Sequence, residues 1–425
     1  GLLGHRLLHP IIDRVLSWPV TQKRLRKVSK KNVWKSSFFR QTINPALSHE
    51  IPIVDLRQFG VRDLEAEVQR LAIEEANKVI DYTKDPLLRA LLIKVRDDEH
   101  VLVFLVHHLA TDGWSFQLLL EELAQDYHAF ASNRPSPVPE PPVRYSDFAY
   151  WQREQMQADL RERLVSYWHK RFANFPLTPE LVLPFALPRT GPPTYRGATQ
   201  SIVIPPELYV ALRQVMRQQK VTMYMLLLAT FITLLARYTG RERLGLLVLF
   251  ANRNRLETQS LMGWLANVHV FNSDLSDTPR FADLLERVRA TIIEDYAHQE
   301  IPYTLLFGEL LQRTKNYTMP KRVFETSYVF FDLRIEDETP FQVPGLSVSP
   351  VEIPSRFADE LAMYAIETAG KLKIKVHYTR DRFADSSMVQ LLADFEELLR
   401  QVSIEPATSL SALTHEGDKS AADNS

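Results

Sequence analysis

A strand that runs into a chemically rich loop and then into a helix constrains the fold of this chain more than any other feature. Residues 101–106, Val-Leu-Val-Phe-Leu-Val, form a continuous β-branched and aromatic run that is typical of a strand buried on both faces. Apolar residues return at helical spacing over residues 115–130. The loop between them opens with His-His-Leu-Ala-Thr-Asp-Gly at residues 107–113. Two imidazoles and a carboxylate therefore lie where a rigid scaffold can present reactive groups.

The adjacent histidines of this loop allow more than one interpretation. They could be a hydrogen-bonded pair in the core, a metal site completed by Asp112, or reactive groups. Because neighbouring residues of a strand point to opposite faces, His107 and His108 are poorly placed to ligate one ion. The sequence also has no second cluster of ligands. We therefore predict no metal site, with one imidazole facing a cleft and the other packing inward.

Length and composition limit the class of protein. With 425 residues, the chain exceeds the size at which one hydrophobic core keeps growing, which predicts two domains or lobes. A hydrophobic fraction of 45%, a charged fraction of 24% and a net charge of -1 are typical of a soluble globular protein without a bias toward nucleic acid. The absence of cysteine excludes disulfides, thiolate metal sites and a cysteine acyl-enzyme. No apolar run reaches about 18 residues, so we expect no membrane span and a cytoplasmic location.

Prolines and hydrophobic periodicity indicate how the chain is organised. A proline-rich connector at residues 176–198 separates an N-terminal part, residues 1–175, from a C-terminal part, residues 199–415, and a polar tail follows at 416–425. Strand and helix patterns alternate in both parts, which predicts an α/β (α+β) protein. Further strands are predicted at residues 199–204, 246–250, 268–271, 326–331, 363–368 and 372–378. Further helices are predicted at residues 63–79, 147–172, 206–219, 222–238, 281–298 and 387–402.

Five segments in order resemble one family. Residues 107–115, HHLATDGWS, resemble the HHxxxDG signature of nonribosomal peptide synthetase condensation domains, which belong to the chloramphenicol acetyltransferase-like acyltransferase superfamily. Residues 144–152, RYSDFAYWQ, are similar to that family's Y-x-D-F-A-x-W-Q stretch, and residues 262–267, MGWLAN, to its G-x-F-x-N segment. Residues 296–303, YAHQEIPY, and 378–383, YTRDRF, resemble its A-H-Q-D-x-P-F and Y-x-x-D-x-F elements. The agreement of five separated motifs is far more specific than any one of them.

The resemblance implies a fold, a reaction and partners. The fold would consist of two chloramphenicol acetyltransferase-like lobes that form a V-shaped pseudo-dimer with a central tunnel. In the implied reaction, an acceptor aminoacyl amine attacks a donor acyl thioester, both carried on 4'-phosphopantetheine arms of donor and acceptor carrier protein domains. An adenylation domain upstream or downstream is a further expected partner, with the chain either a monomer or part of a multidomain synthetase. No cofactor bound by the chain itself, no nucleic acid and no membrane partner are expected.

The resemblance also gives roles to the residues of the loop. His108 would face the cleft and help the acceptor amine to lose its proton, as a full base or by orienting the amine. His107 would pack inward and hold the loop. Asp112 could cap the following helix, and the resemblance implies a salt bridge to a buried arginine. Arg89, on the apolar run before the histidine strand, is the candidate partner. Gly113 would keep the loop mouth open for a substrate arm.

Three residues are predicted to contact substrate. Trp114 follows the loop directly, and the resemblance places Asn267 at the border of the cleft. His269 alternates with Val268 and Val270 and is expected to face the cleft or solvent. These three residues are the predicted substrate contacts outside the catalytic loop.

Other polar residues of the motifs are predicted to be structural. Ser115 is expected to cap the helix after the loop, and Asp147 to cap a helix whose aromatic face, with Phe148 and Trp151, belongs to the core. His298 lies near a helix end, where a cationic or hydrogen-bonding side chain favours the last carbonyls. The functional motifs thus include several residues whose expected role is to hold the fold.

The chain departs from the family pattern in two places. The N-terminal S-x-A-Q-x-R motif is not recognisable, and Asn272 occupies a position where the family commonly has arginine. The N-terminal region instead has a basic run, which is either a solvated surface or a docking face for an acidic carrier protein. That run consists of Lys23, Arg24, Arg26, Lys27, Lys30, Lys31 and Lys35.

Alternative functions are separated by specific residues. An epimerization domain would have an E-G-H-G-R-E-like segment where residues 250–257 are FANRNRLE, and a heterocyclization domain would replace the histidines by aspartates. A stand-alone acyltransferase with a soluble amine or alcohol acceptor stays open, as does a non-catalytic carrier-recruiting scaffold, although a scaffold would be expected to have lost His108 or Gly113. No phosphate loop, dinucleotide fingerprint or serine-hydrolase elbow occurs, so the acyl groups must arrive already activated.

Overall fold

The described part of the chain divides into two compact units. The computed structural model describes residues 21–22, 42–43, 51–58, 63–172, 182–191, 194–277, 280–313, 329–333, 342–351, 353, 360–368 and 370–413. The first unit is drawn from Gly1–Gln155, Ala251–Ala266 and Asp337–Pro354, and the second from Met156–Phe250, Asn267–Glu336 and Ser355–Ser425. The chain therefore leaves the second unit after Phe250 and re-enters it at Asn267. The predicted boundaries at 175, 198 and 415 stay predictions; the basic run and the polar tail lie outside the described residues.

Strands and helices alternate through the described residues, as the sequence pattern indicates. The strands are β1 Thr21–Gln22, β2 Thr42–Ile43, β3 Ile53–Asp55, β4 Leu88–Lys94, β5 His100–Val106, β6 Gly197–Val203, β7 Arg243–Phe250, β8 Asn267–Asp274, β9 Val329–Leu333, β10 Leu361–Thr368 and β11 Lys371–Thr379. The helices are α1 Leu64–Asn77, α2 Gly113–Ala131, α3 Tyr145–Gln155, α4 Ala158–Phe172, α5 Pro206–Gln219, α6 Met223–Thr239, α7 Leu256–Gln259, α8 Phe281–Ala297, α9 Tyr303–Arg313 and α10 Asp385–Ile404. The predicted mixed architecture is confirmed.

The first unit is built on a sheet in the order β3-β4-β5. Strand β4 pairs in parallel with β3 and antiparallel with β5, with Leu88 opposite Val106. The strand predicted over residues 101–106 is confirmed as β5, which ends at Val106 as predicted. His107 begins a turn that the amide of Ala110 closes by donating to the His107 carbonyl at 2.9 Å. The two histidines therefore follow the strand, and strand alternation does not set their directions.

Helix α2 begins two residues before the predicted position. Its N-cap is Asp112, whose carboxylate accepts a hydrogen bond from the backbone amide of Ser115 at 2.8 Å. The prediction that Ser115 caps this helix is wrong, because the Ser115 hydroxyl is turned toward a distant segment of the chain. The predicted capping role of Asp112 is confirmed.

The helix predicted over residues 147–172 is two helices. Helix α3 ends at Gln155 in the first unit, and α4 begins at Ala158 in the second. Asp147 is the third residue of α3, and its carboxylate accepts from the amide of Arg144 at 2.9 Å. This is the acidic half of a capping box, so Asp147 stabilises the helix start from inside rather than as the N-cap itself. Phe148 and Trp151 pack together, 5.9 Å between ring centroids, as predicted for a core face.

The second unit is organised around a larger mixed sheet in the order β6-β11-β10-β9-β7-β8. Strand β9 is parallel to both β10 and β7, whereas the other pairings are antiparallel. Helix α6 is almost entirely buried, and its Thr230 and Thr233 hydroxyls donate to the carbonyls of Leu226 and Ala229. No single helix among the described residues is long and apolar enough to cross a membrane; α5 and α6 meet that test only as a pair bent by 101°.

Candidate active site

The His108 imidazole is held in one tautomer by a backbone carbonyl. Its Nδ1 lies 2.9 Å from the carbonyl oxygen of Thr111. Because a carbonyl oxygen only accepts, Nδ1 must carry the proton, and Nε2 keeps a lone pair in the neutral ring. His108 is exposed. The residue is therefore an accessible base with a defined reactive nitrogen.

His107 is arranged in the opposite way. Its Nδ1 accepts from the backbone amide of Leu109 at 3.0 Å, which places the ring proton on Nε2. The ring is partly buried, 6.2 Å from that of Tyr82. Burial, and then the neighbouring charge of His108, lower the pKa of His107. The prediction that one histidine is presented outward while the other holds the loop agrees with this geometry, although the turn and not the strand produces it.

Asp112 is the buried centre of the loop's hydrogen bonds. Its Oδ1 accepts from the Ser115 amide, and its Oδ2 accepts from the amides of Leu265 and Ala266, each at 3.0 Å. Arg253 forms a salt bridge to Oδ1 at 3.1 Å, with side chains only 1% and 4% exposed. The predicted salt bridge to a buried arginine is thus present, but the predicted partner is wrong.

Arg89 lies elsewhere in the first unit. On β4 it is opposite Leu105, and its guanidinium contacts Glu75 at 3.4 Å and donates to the carbonyl of Lys78 at 2.7 Å. It thereby compensates the C-terminal end of α1, where a cation is favoured. Arg89 therefore has a structural role, as predicted, but at a helix end and not at Asp112.

Arg253 makes several contacts that no local sequence signal indicates. Its guanidinium donates to the carbonyls of Thr258 and Leu261, each at 2.6 Å, and to the Ser115 hydroxyl at 2.7 Å in addition to Asp112. Burial lowers the pKa of Arg253, while the Asp112 charge opposes that shift. A paired arginine of this kind stays cationic, because its pKa starts above about 12. The pair neutralises both buried charges.

Ser115 and Gly263 join the start of α2 to the turn at residues 263–266 by two further hydrogen bonds. The Ser115 hydroxyl donates to the Gly263 carbonyl at 2.7 Å and accepts from the Gly263 amide at 3.0 Å. A Cβ at Gly263 would lie 2.1 Å from the ring of Tyr145, and its φ is +152°. Only glycine fits there without displacing the ring, so the close approach of Tyr145, the first residue of α3, to this turn depends on it.

Two tryptophans lie beside the loop. Trp114, predicted to bind substrate, donates from Nε1 to the carbonyl of Gln259 at 2.9 Å and remains exposed on one side, with Arg253 5.7 Å from its ring. Trp264 lies with its ring centroid 5.0 Å from that of His108. The sequence places Trp264 only within a motif and gives no sign of this contact. Gly113 is the exposed first residue of α2, next to these side chains.

The two predicted substrate contacts of the second unit are instead buried within it. Asn267 donates to the carbonyls of Gln299 and Ile301 at 2.8 and 2.7 Å, and its Oδ1 accepts from the amide of Tyr303 at 3.1 Å. The Asn267 side chain therefore holds the loop before α9 in place, and its contact with substrate stays a prediction.

His269 likewise does not face a cleft or solvent. It is 1% exposed, stacks on Trp168 at 4.8 Å, and lies 3.2 Å from the Gln299 carbonyl through Nε2. Burial lowers its pKa to about 4, so this histidine is neutral at physiological pH. The alternation of β8 predicted that position 269 points away from its neighbours, but packing of α4 covers that face.

Two further residues of the second unit were singled out in the sequence. His298 is the C-cap of α8, donates from Nδ1 to the Glu294 carbonyl at 2.8 Å, and stacks on Tyr167 at 3.7 Å. Its predicted structural role at a helix end is confirmed. Asn272, at the position of the family's arginine, is buried on β8.

Among the described residues, no group of three or more His, Asp or Glu side chains could hold a metal ion.

The mixed sheets and the histidine loop at the end of β5 define a protein of the chloramphenicol acetyltransferase-like fold. The chain belongs to the condensation domain family, whose family model matches residues 25–423. It is 32% identical over 376 residues to a linear gramicidin synthase protein of Brevibacillus parabrevis, covering 88% of this chain and 5% of that protein. It is 30% identical over 374 residues to phosphinothricin tripeptide synthetase PhsC of Streptomyces viridochromogenes, covering 88% and 34%. The chain therefore spans a small part of these relatives.

Solved structures agree on the fold. The X-domain from teicoplanin biosynthesis has a TM-score of 0.78 at 21% identity, covering 96% of this chain and 89% of that one. The first condensation domain of the calcium-dependent antibiotic synthetase, in complex with a substrate analogue, has a TM-score of 0.72 at 18% identity, covering 97% and 91%. The predicted family, the condensation domains of nonribosomal peptide synthetases, and the predicted fold class are confirmed.

Proposed function

We propose that His108 receives the proton of an acceptor aminoacyl amine as that amine attacks a donor acyl thioester, with both substrates held on 4'-phosphopantetheine arms of carrier domains. The observation that carries this proposal is the hydrogen bond between His108 Nδ1 and the Thr111 carbonyl. It leaves Nε2 as the basic nitrogen on an exposed ring. A general base must present its lone pair outward, and this tautomer does so.

The proton balance gives His108 two tasks. A free α-amine has a pKa of about 8, so much of it is protonated near neutral pH. It must lose that proton before its nitrogen can attack. Once its nitrogen bonds to the thioester carbon, the adduct carries a proton that Nε2 takes. The carbon–sulfur bond then breaks, the electron pair leaves with sulfur, and the imidazolium returns the proton to the thiolate. One amide and one free thiol result, and no nucleotide or oxidant is consumed.

The neighbouring residues support this assignment without taking part in proton transfer. His107 has its Nδ1 occupied by the Leu109 amide, and Asp112 is buried in five hydrogen bonds and ion-pair contacts to protein groups. Neither side chain has a basic atom free to face a substrate. We assign both to the shape of the loop, with Gly113 leaving room for a substrate arm and Trp114 offering an apolar surface to it.

The partners follow from the tethered chemistry. Relatives such as the linear gramicidin synthase proteins are far longer than this chain, which spans 5% and 7% of two of them. A donor and an acceptor carrier domain, with an adenylation domain that loads one of them, would supply the activated acyl groups. The chain needs no resident cofactor for this reaction, because the thioester supplies the activation.

The decisive experiment uses purified domain with a loaded donor acyl carrier and a loaded acceptor aminoacyl carrier. Product on the acceptor arm is followed by mass spectrometry for wild type, His108→Ala, and Tyr150→Ala as a control exposed aromatic of the same unit. We expect His108→Ala to lower turnover by about 10²- to 10⁴-fold, the usual contribution of a general base. Tyr150→Ala should match wild type.

The outcomes separate the alternatives. Unchanged turnover in His108→Ala would remove this residue from the chemistry. Equal turnover with a soluble amine and with the tethered acceptor would favour a stand-alone acyltransferase. Carrier binding without product for any loaded pair would favour a recruiting scaffold.

A further inference from the structure

The ring of His108 makes a second contact that the reaction as proposed does not use. The indole of Trp264 lies 5.0 Å from the imidazole, centroid to centroid, with the planes tilted by 52°. Trp264 is 40% exposed, as expected of a side chain that covers one group while bordering solvent. Tilted aromatic pairs at this separation attract each other beyond the effect of their buried area. The contact is therefore able to bias the orientation of the ring.

One hydrogen bond does not fix an imidazole. The bond from Nδ1 to the Thr111 carbonyl anchors one ring atom. The terminal torsion of histidine has a broad energy profile, so the ring can still turn out of this bond for part of the time, which moves Nε2 sideways and frees Nδ1. A flat side chain packed on the ring removes this freedom. Trp264 occupies that place.

Trp264 is itself held by groups of the histidine loop's own unit. Its Nε1 donates to the Ala266 carbonyl at 2.8 Å, and its carbonyl accepts from the Tyr145 hydroxyl at 2.8 Å. The residue before it is bound through both backbone groups by Ser115. The two residues after it donate their amides to Asp112. The turn at residues 263–266 is thus fastened to the start of α2.

We propose that Trp264 is a positioning residue that fixes the direction of His108 Nε2, and that Asp112 and Ser115 act on catalysis by holding the turn that carries it. The inference rests on the proposed role of His108. It explains why the Asp112 carboxylate binds Arg253 and the backbone amides of Ser115, Leu265 and Ala266. The buried hydrogen bonds fix the position of the Trp264 indole, and the indole fixes the orientation of the His108 ring.

Substitutions at position 264 test the claim by kinetics. Trp264→Leu keeps apolar volume without an aromatic face, and Trp264→Phe keeps the face with a smaller ring. We expect kcat of Trp264→Leu to fall by about 10- to 100-fold, because a misplacement of about 1 Å can cost about 10²-fold. KM for the acceptor carrier should stay near the wild-type value, and Trp264→Phe should recover most of kcat. Tyr150→Ala, 68% exposed on α3, serves as the control.

A readout independent of turnover follows the His108 ring itself. Long-range ¹H–¹⁵N correlation of ¹⁵N-histidine protein, with His108→Ala to identify the signals, reports which ring nitrogen carries the proton. Wild type and Trp264→Phe should show a single tautomer with the proton on Nδ1. Trp264→Leu should show averaging between tautomers. Urea unfolding of each variant confirms that the first unit remains folded.

The results are decisive in either direction. The positioning role is overturned if Trp264→Leu keeps both wild-type kcat and a single tautomer, or if Trp264→Phe is as impaired as Trp264→Leu. A raised KM with unchanged kcat would assign Trp264 to substrate contact and also overturn the proposal. If His108→Ala turns over normally, the proposed function fails, while the tautomer comparison still reports whether the indole orients the ring.

Discussion

Asp112 and Arg253 form a buried ion pair although 141 positions separate them in the chain. The carboxylate also accepts three backbone amides, and the guanidinium also donates to two carbonyls and a hydroxyl. Their desolvation is offset only when all these bonds are present together. The pair thus ties residues 251–266 to the start of helix α2, next to His108.

Removing one partner of this pair should be severe. We expect Arg253→Met to lower the free energy of unfolding of the first unit by about 3–5 kcal/mol, because the Asp112 charge would remain buried without its cation. Arg89→Met is the matched control, since Arg89 is partly exposed at a helix end and pairs with Glu75 at 3.4 Å. It should cost less, about 1–2 kcal/mol, because Lys78 still pairs with Glu75 at 2.6 Å and the carboxylate keeps a cation. Urea unfolding of both variants checks the difference, and equal effects would contradict the assigned pairing.

Gly263 should tolerate no side chain. In Gly263→Ala the new Cβ would lie 2.1 Å from the ring of Tyr145, so the ring or the turn must move. We expect a loss of about 1–3 kcal/mol from overpacking and a disturbed Trp264. Gly240→Ala is the control: its φ of +65° is strained for alanine, but nothing lies within 4 Å of the added Cβ. It should cost about 1 kcal/mol, and a smaller loss at Gly263 than at Gly240 would refute the steric argument.

Asn267 should affect stability and not substrate affinity as such. Its side chain bonds three backbone groups of residues 299–303. We expect Asn267→Ala to destabilise the second unit by about 2–4 kcal/mol, because buried backbone groups lose partners at about 1–3 kcal/mol for an unsatisfied group. In a variant that is still folded at low temperature, KM for the acceptor should be near wild type. A raised KM without loss of stability would restore the substrate-binding prediction.

The second unit contains two buried groups whose pKa values shift in opposite directions. Burial raises the pKa of Asp295 to about 6, against the pull of Arg171 and the hydrogen bond from Tyr167. Burial lowers the pKa of His269 to about 4. For Asp295, stability is greatest below its usual pKa of 3.8 and is lost as pH rises through about 6. For His269, stability is present above its usual pKa of 6.5 and is lost as pH falls through about 4.

Both groups titrate between about pH 4 and 6 in the wild-type protein, so their effects on the stability oppose each other in that range. Asp295→Asn should lose stability on acidification more steeply than wild type, because only the His269 effect remains. His269→Phe keeps a ring against Trp168 and should instead become relatively more stable on acidification. Each effect is at most about 3 kcal/mol, from about 1.4 kcal/mol per pKa unit. The measurement is the urea midpoint of wild type and both variants at about pH 5, 6 and 7. If the midpoints of all three proteins change in parallel with pH, neither group titrates as assigned.

Local sequence patterns were sufficient to predict many of the strands and helices of this protein. The buried strand before residue 107, the helix after residue 113, and long periodic helices such as α5 and α8 follow from propensity and the spacing of apolar residues over short windows. The ordered motifs indicated the family, and the resemblance singled out His108 as the reactive residue of the loop. These features depend on neighbours within a few residues, which the sequence displays directly.

Only the tertiary structure showed which side chains contact each other. Arg253 and Arg89 are both arginines beside apolar strands, and nothing local distinguishes which one reaches Asp112. His269 alternates as a cleft residue would, yet α4 covers it with Trp168. Trp264 meets His108 only because Ser115 and Asp112 bind the backbone around it. The sequence by itself determined the elements and the reactive loop; long-range packing decided which charges are buried together, because that choice depends on groups that are far apart in the chain.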